Sequence, residues 1–178
     1  MMRVYKSEAD VKKYVRQILE KYRWKSWMPA ANGYGETGIS DFCGLRAGVF
    51  LAVETKFGDN ELTVNQERFL NEVLAEDGFG FVVYEWGVET FEKWSALFDT
   101  ATTYTSKGEK VPDNVGAELL ECIRILTEPI ALAAQRRAAR SAKRKTKIDK
   151  KFGKQENSYG EDVTLEDVKQ DMENTDGQ

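Results

Sequence analysis

The sequence predicts an α/β domain built on a mixed central β-sheet flanked by helices, followed by a helical C-terminal extension and a disordered acidic tail. Three observations support this prediction. The apolar patterns read helix, strands, helix, strand, helix over the first hundred residues. Residues 49–53 are apolar without interruption, which favours a strand covered on both faces. Charge is segregated, since residues 136–154 carry a net +9 and residues 155–178 a net −7 in a chain of net charge −4.

The first element is a helix with Ser7 at its N-cap. Its apolar face repeats at spacings of four, three and four residues: Val11, Val15, Ile18 and Tyr22. Residues 23–29 are aromatic and half apolar, which predicts a strand. A glycine-rich turn at 32–38 and a second short strand at 39–45 follow.

Residues 49–53 are then the central strand. Thr63 opens a helix that Gly78 ends, and its inward-facing residues are Phe69, Leu70, Val73 and Leu74. Residues 79–84 predict another buried strand. The helix after it has an apolar face made of Phe91, Trp94, Leu97 and Phe98.

A turn-rich connection at 105–114 leads to two further helices, 114–127 and 128–147, the second with Pro129 in its first turn. These patterns divide the chain into a compact core at 1–104, a helical extension at 105–154 that ends in a basic segment, and a tail at 155–178. The tail is rich in Asp, Glu, Asn, Gln and Gly, and it has too few apolar residues to offset the entropy of ordering.

Composition excludes several classes of protein. The absence of histidine excludes enzymes that depend on imidazole as a metal ligand or general base, and no glycine-rich phosphate loop is present. Cys43 and Cys122 are too few for a disulfide framework, although one bridge stays open, and Cys43 is predicted to be a small core residue. No apolar run approaches a membrane span and no secretory signal is evident, so we expect a cytoplasmic protein without a membrane partner.

Three charged residues are expected to converge at the end of the central strand. Strand alternation puts Glu54 and Lys56 on one face, and hairpin pairing with the preceding strand brings Asp41 beside Glu54. Two close carboxylates favour a hard divalent cation such as Mg²⁺. Glu8 lies on the apolar stripe of the first helix, where a carboxylate is costly unless it is paired or metal-bound.

These residues also resemble a known family. The string at 38–41 (GISD), the spacing to 54–56 (ETK) and the following 62–66 (LTVNQ) resemble the PD-(D/E)xK nuclease superfamily. The pattern is most similar to the VRR-NUC type, which is similar to Holliday-junction resolvases and common in phage. The resemblance covers residues 8–85, with Ser40 where the family often has Pro and no arginine at 79–86.

The resemblance implies a restriction-endonuclease-like core and a Mg²⁺-dependent deoxyribonuclease, with Mn²⁺ as a substitute, that acts on DNA and is structure-specific for junctions or flaps. Asp41 and Glu54 would be metal ligands, with the Thr55 carbonyl as a third and Lys56 as the catalytic lysine. Glu8 would complete a second metal site, and Gln66 would be catalytic. Host cytoplasm would be its location if it is encoded by a phage. DNA versus RNA, linear versus branched substrates and a homodimer stay open.

Each assignment has a structural alternative. Glu54 and Lys56 can be an exposed ion pair at a strand end, worth roughly 0–1 kcal/mol. Glu8 suits the positive end of a helix dipole without a metal. Gln66 can complete a capping box with Thr63.

The basic segment is predicted to contact nucleic-acid phosphates, because ten cations in nineteen residues exceed an ordinary solvated helix face. Its alternative is pairing with the acidic tail. The second function considered is therefore a nucleic-acid-binding or assembly protein that keeps the fold without catalysis. The candidate contact residues are Arg136, Arg137, Arg140, Lys143, Arg144, Lys145 and Lys147.

Overall fold

The computed structural model describes residues 4–30 and 37–152, with side chains to residue 148. It contains four strands and four α-helices in these ranges, and a 3₁₀ turn at Glu85–Gly87 precedes the third helix. The elements are α1 (Glu8–Lys21), β1 (Lys25–Trp27), β2 (Phe42–Arg46), β3 (Val49–Thr55), α2 (Val64–Ala75), β4 (Phe79–Val83), α3 (Val88–Ser106) and α4 (Asp113–Phe152). The prediction of an α/β fold with a long helical C-terminal part is confirmed.

The sheet is mixed and its strands lie in chain order, β1-β2-β3-β4. β1, β2 and β3 are antiparallel neighbours, whereas β3 and β4 are parallel and are joined by the crossover through α2. β2 and β3 form a hairpin with a two-residue turn, because Arg46 pairs with Val49. Both turn residues, Ala47 and Gly48, have positive φ (49° and 79°), as a type I′ hairpin turn requires.

The central strand β3 is covered on both faces, as predicted from its apolar sequence. Leu51 and Val53 belong to a core shared with apolar residues of α1 and α3. Ala52, which points to the opposite face, packs with Leu70 and Val73 of α2. Residues 54 and 56 follow Ala52 in the alternation, so their side chains lie on the α2 side of the sheet.

Several predicted boundaries and caps differ from the structure. The strand predicted at 23–29 is only Lys25–Trp27, and the strand predicted at 39–45 begins at Phe42. Ser7 is at the N-cap of α1 but its side chain makes no capping hydrogen bond. At the end of α2 the positive φ belongs to Asp77 rather than Gly78. The turn predicted at 32–38 lies mostly outside the described residues.

The two helices predicted after residue 113 are a single helix, α4, which contains Pro129 in its interior. The prediction of a break was wrong because packing outweighs the lost backbone hydrogen bond. Leu126 and Ile130, on either side of the proline, are 1% and 3% exposed. The Thr127 hydroxyl donates to the Ile123 carbonyl at 2.9 Å, whereas the carbonyl that loses its helical donor to the proline is that of Ile125.

The chain divides into two compact units, Met1–Arg136 and Arg137–Gln178. The first unit includes residues 105–136, which the sequence assigned to the extension; Cys122 and Leu126 lie in the α1/α3 core and Ile130 lies in the α2 core. In the second unit the described residues, 137–152, are helical. The acidic tail predicted at 155–178 lies outside the described residues.

Both cysteines are free and buried, so the disulfide that the sequence left open is not formed. Cys43 is a core residue, as predicted, and burial raises the pKa of its thiol to about 11. Of the helices described, none combines the length and apolar character that crossing a membrane requires.

Candidate functional site

Asp41 and the end of β3 are held together by hydrogen bonds across the hairpin. The Asp41 Oδ2 atom accepts from the Thr55 N–H at 3.0 Å and from the Thr55 hydroxyl. In return, the Asp41 N–H donates to Glu54 Oε2 at 3.3 Å. The register that pairs Phe42 with Val53 produces this arrangement, because it places Asp41 opposite Glu54, as predicted.

Glu54 and Lys56 form a buried ion pair, with 2.9 Å between the Lys56 Nζ and Glu54 Oε1. Their exposed fractions are 2% and 7%, so the alternative of a solvated surface pair is wrong. A buried pair of this kind persists only where further hydrogen bonds satisfy its remaining atoms. Gln66 supplies them from α2.

Gln66 completes the capping box that the sequence offered as its structural role, and it also contacts the predicted site residues Glu54 and Lys56. Its Oε1 atom accepts from the Thr63 N–H at 3.0 Å, and Thr63 Oγ1 accepts from the Gln66 N–H, which completes a capping box. The same Oε1 accepts from Lys56 Nζ at 3.1 Å, and the Gln66 Nε2 donates to Glu54 Oε1. The first turn of α2 is thereby attached to the charged end of β3.

The segment that leads to Asp41 also packs against the start of α2. Gly38 has φ +90°, and a Cβ at this position would lie 2.4 Å from Asn65 Cβ. The Asn65 side chain donates to the Thr37 hydroxyl at 3.1 Å. Only glycine therefore fits at residue 38 without displacing the helix.

Lys12, which the sequence analysis did not single out, lies between two predicted metal ligands. Its Nζ atom is 3.0 Å from Glu8 Oε1 and 2.9 Å from Asp41 Oδ1. Desolvation lowers the pKa of Lys12, but hydrogen bonds to Asp41 and Glu8 outweigh it and raise the pKa overall. Glu8 is thus linked to Asp41 through a cation. The only sequence signal was the i, i+4 spacing of Glu8 and Lys12, which is typical of ordinary surface ion pairs.

Burial makes Glu54 an unusual carboxyl group. The pKa of Glu54 is raised to about 7, because desolvation and the nearby negative charge of Asp41 together outweigh the lowering effect of Lys56. A carboxyl group with a pKa near neutrality exchanges a proton readily at physiological pH, and perturbed groups of this kind concentrate at functional sites.

The side chains of this site match only partly the ligands that a hard divalent cation prefers. Asp41 and Glu54 provide two carboxylates, and Thr55, the third predicted ligand, is fully buried with its hydroxyl and N–H donated to Asp41. The Lys12 ammonium supplies the positive charge that faces Asp41 and Glu8. In the residues that the structure describes, no three His, Cys, Asp or Glu side chains come together as a metal site.

The predicted nucleic-acid contacts are distributed over both units. Arg136 is the last residue of the first unit and pairs with Glu61 at 3.1 Å. The other six are helical residues of the second unit. Among them, the spacing of Arg140, Lys143, Arg144 and Lys147 puts four cations on one helix face, and all four are exposed.

No protein-family model and no curated protein matches the sequence. The resemblance to the PD-(D/E)xK superfamily therefore remains a prediction.

Proposed function

We propose that the protein is a Mg²⁺-dependent nuclease that hydrolyses phosphodiester bonds in DNA, with a restriction-endonuclease-like core. The observation that supports this most strongly is the connected cluster of Asp41, Glu54, Lys56 and Gln66 at the end of β3. A buried ion pair contributes little to stability, and a buried pair that adjoins a second carboxylate is more typical of a functional site.

Asp41 and Glu54 would hold the metal ion, with the Thr55 carbonyl as a further ligand and Glu8 available for a second ion once Lys12 moves away. When bound, Mg²⁺ supplies charge stabilisation at the phosphate and lowers the pKa of a coordinated water. Mn²⁺ has similar oxygen preference and would substitute.

The protein side chains have separate tasks in this proposal. Hydrogen bonds from Thr55 fix the orientation of the Asp41 carboxylate. Gln66 and Glu54 hold the Lys56 ammonium in position, from which it donates a hydrogen bond to the attacking water or to the phosphate. The exposed cations on α4 would contact the phosphate backbone without reading sequence.

A second candidate is a nucleic-acid-binding protein that keeps this fold without catalysis. The observation in its favour is that each charged group of the site already has a counterion within the chain, since Lys12 pairs with Asp41 and Lys56 pairs with Glu54. In that case the exposed basic face of α4 would be the functional part.

Cleavage of labelled nucleic acids distinguishes the two candidates. Single-stranded, duplex, flap and four-way-junction DNA, with matched RNA, would be incubated with the protein and Mg²⁺ or Mn²⁺. The variant Glu54→Gln/Lys56→Met removes both charges of the buried pair, so that neither is left unpaired. Its matched control removes the exposed pair of Glu121 and Arg124 by substitution with alanine.

We expect cleavage by the wild type and the control, and at least a hundredfold loss in the site variant with binding retained. Circular dichroism would verify that all three proteins are folded. If no substrate is cut while salt-sensitive binding persists in every variant, the non-catalytic candidate is correct and the nuclease proposal is wrong.

A further inference from the structure

A cavity of about 440 Å³ lies next to the residues that follow β3, within the first unit. It is formed by the segment after β3, the segment after β4 and the middle of α4, and its walls include Gly58, Leu62, Tyr84, Trp86, Pro129 and Leu132. The nuclease chemistry proposed above uses none of these residues. The volume is within the usual range for small-ligand sites, about 300–1,000 Å³.

Two stacked aromatic rings form one wall of this cavity. The rings of Tyr84 and Trp86 are 5.5 Å apart between centroids and only 7° from parallel. The Tyr84 hydroxyl donates to the Asn60 carbonyl at 2.8 Å, which fixes the inner ring of the stack. Trp86 is 58% exposed. The protein therefore presents a large, flat and preorganised aromatic surface to solvent.

The aromatic stack and the charged cluster lie at the carboxyl ends of neighbouring parallel strands, β4 and β3, and on the same face of the sheet. The Lys56 N–H donates to the Val83 carbonyl at 3.0 Å, so the residue after Val83, Tyr84, is beside Lys56 on the neighbouring parallel strand. Adjacent strands are about 4.8 Å apart. Tyr84 packs against the hydrophobic cluster that contains Ala52, on the α2 face, which also carries Glu54 and Lys56.

The charges around the cavity argue against a phosphate inside it. Asp59, Glu61 and Glu128 contribute three carboxylates, and Arg136, the one lining cation among the residues that the structure describes, is paired with Glu61. A neutral planar group avoids this repulsion. If it carries an amino group, it can also donate hydrogen bonds to the carboxylates, as cytosine and adenine do when proteins read them.

We propose that the cavity binds an unpaired, amino-bearing nucleobase of the nucleic-acid strand by stacking on Trp86. The identification of that strand as the substrate rests on the nuclease function proposed above. A base within a duplex is stacked between its neighbours and cannot enter the cavity without being extruded. The cavity thus selects single-stranded segments, such as a flap or a frayed end, over continuous duplex.

Binding measured without a divalent metal tests this proposal. Fluorescence anisotropy would give the Kd of a labelled single strand and of the same sequence as a duplex, in the presence of a chelator. The proteins are the wild type, Trp86→Ala and Trp86→Phe. Trp27→Ala is the matched control, because Trp27 is 45% exposed on β1, at the opposite edge of the sheet.

We expect Trp86→Ala to weaken single-strand binding by about tenfold, since base stacking on an aromatic residue contributes on this scale. Duplex binding should change by less than about twofold, Trp86→Phe should keep most of the affinity, and Trp27→Ala should match the wild type. The wild type should also bind oligo-dC or oligo-dA more tightly than oligo-dT. Unchanged single-strand binding by Trp86→Ala, or an equal loss for single strand and duplex, would overturn the proposal.

The outcome is independent of whether the protein cuts DNA. Selective loss of single-strand binding in Trp86→Ala supports the cavity assignment even if no substrate is cleaved. Cleavage with no effect of Trp86→Ala rejects the cavity assignment and leaves the nuclease function intact. A labelled Lys-rich peptide is included as a probe, and if it needs Trp86 while the oligonucleotides do not, the cavity binds cations and the proposal is wrong.

Discussion

Asp41 and Thr55 are joined by two hydrogen bonds to a single oxygen, since the N–H and the hydroxyl of Thr55 both donate to Asp41 Oδ2. The other oxygen, Oδ1, is turned towards the Lys12 ammonium. One half of the carboxylate is thus fixed by the strand that carries Glu54, and the other half faces a cation. The orientation of Asp41 is set by the fold before any ligand is bound.

Replacing Gln66 should cost more than its capping role explains. Thr63→Ala removes the N-cap side chain and should lower the free energy of unfolding by about 1 kcal/mol. Gln66→Ala also removes the partners of the buried Glu54 and Lys56, so we expect a loss of about 2–3 kcal/mol. Urea unfolding measures both values. Equal costs for the two variants would mean that the contacts to Glu54 and Lys56 contribute nothing.

Replacing Lys56 with methionine should destabilise the protein in a pH-dependent way. Glu54 would then be a buried charge without its partner, at a cost of about 3–5 kcal/mol at pH 8. The loss should be smaller at pH 5, where Glu54 is protonated in the folded state. Adding Glu54→Gln to Lys56→Met should recover most of the loss. A double variant as unstable as the single one would show that the loss comes from packing rather than charge.

Glu54 should also make stability decline as pH rises towards neutrality. Its folded-state pKa of about 7 lies above its ordinary value of 4.5, so the folded protein binds this proton more tightly than the unfolded chain. The stabilisation is complete below pH 4.5 and is lost as pH rises through 7. In the presence of a chelator, the difference in unfolding free energy between wild type and Glu54→Gln should therefore fall across this window, by on the order of 3 kcal/mol. If the difference were constant with pH, the pKa of Glu54 in the folded protein would not be raised.

Two glycines with positive φ provide a matched comparison of strain and crowding. Gly38 and Gly48 have φ values of +90° and +79°, but only at Gly38 would a Cβ meet other atoms. Gly48→Ala should cost about 1 kcal/mol from backbone strain alone. Gly38→Ala should cost clearly more, because the new Cβ displaces Asn65, and it should also reduce cleavage by shifting the segment before Asp41. Similar decreases in melting temperature for Gly38→Ala and Gly48→Ala would show that crowding against Asn65 adds no cost.

Pro129→Ala should stabilise the first unit. Alanine restores the N–H that can donate to the carbonyl four residues earlier and removes the ring from the helix interior, where proline costs roughly 3 kcal/mol. We expect a gain of about 1–3 kcal/mol, measured by thermal and urea unfolding. A loss of stability would mean that α4 depends on a bend at this position for its contacts.

The sequence predicted the sheet and the first three helices because their apolar spacing directly reflects burial. It also predicted that Asp41 and Glu54 meet, since alternation and hairpin pairing determine this. It could not predict that α4 continues through Pro129, because the packing of distant residues outweighs a local break signal. Lys12 was missed because its spacing from Glu8 is typical of a surface pair, and Trp86 was missed because a single aromatic residue after a strand has no periodic pattern.

The two-residue turn of Ala47 and Gly48 has a consequence for how this chain can vary in length. It fixes the register of β2 against β3, and a slip of one residue would turn every side chain of one strand to the opposite face. Asp41 would then no longer face Glu54, even if the core tolerated the change. Insertions and deletions should therefore be harmful in this turn, while the connection between α3 and α4, which is exposed around Gly108, should accept them.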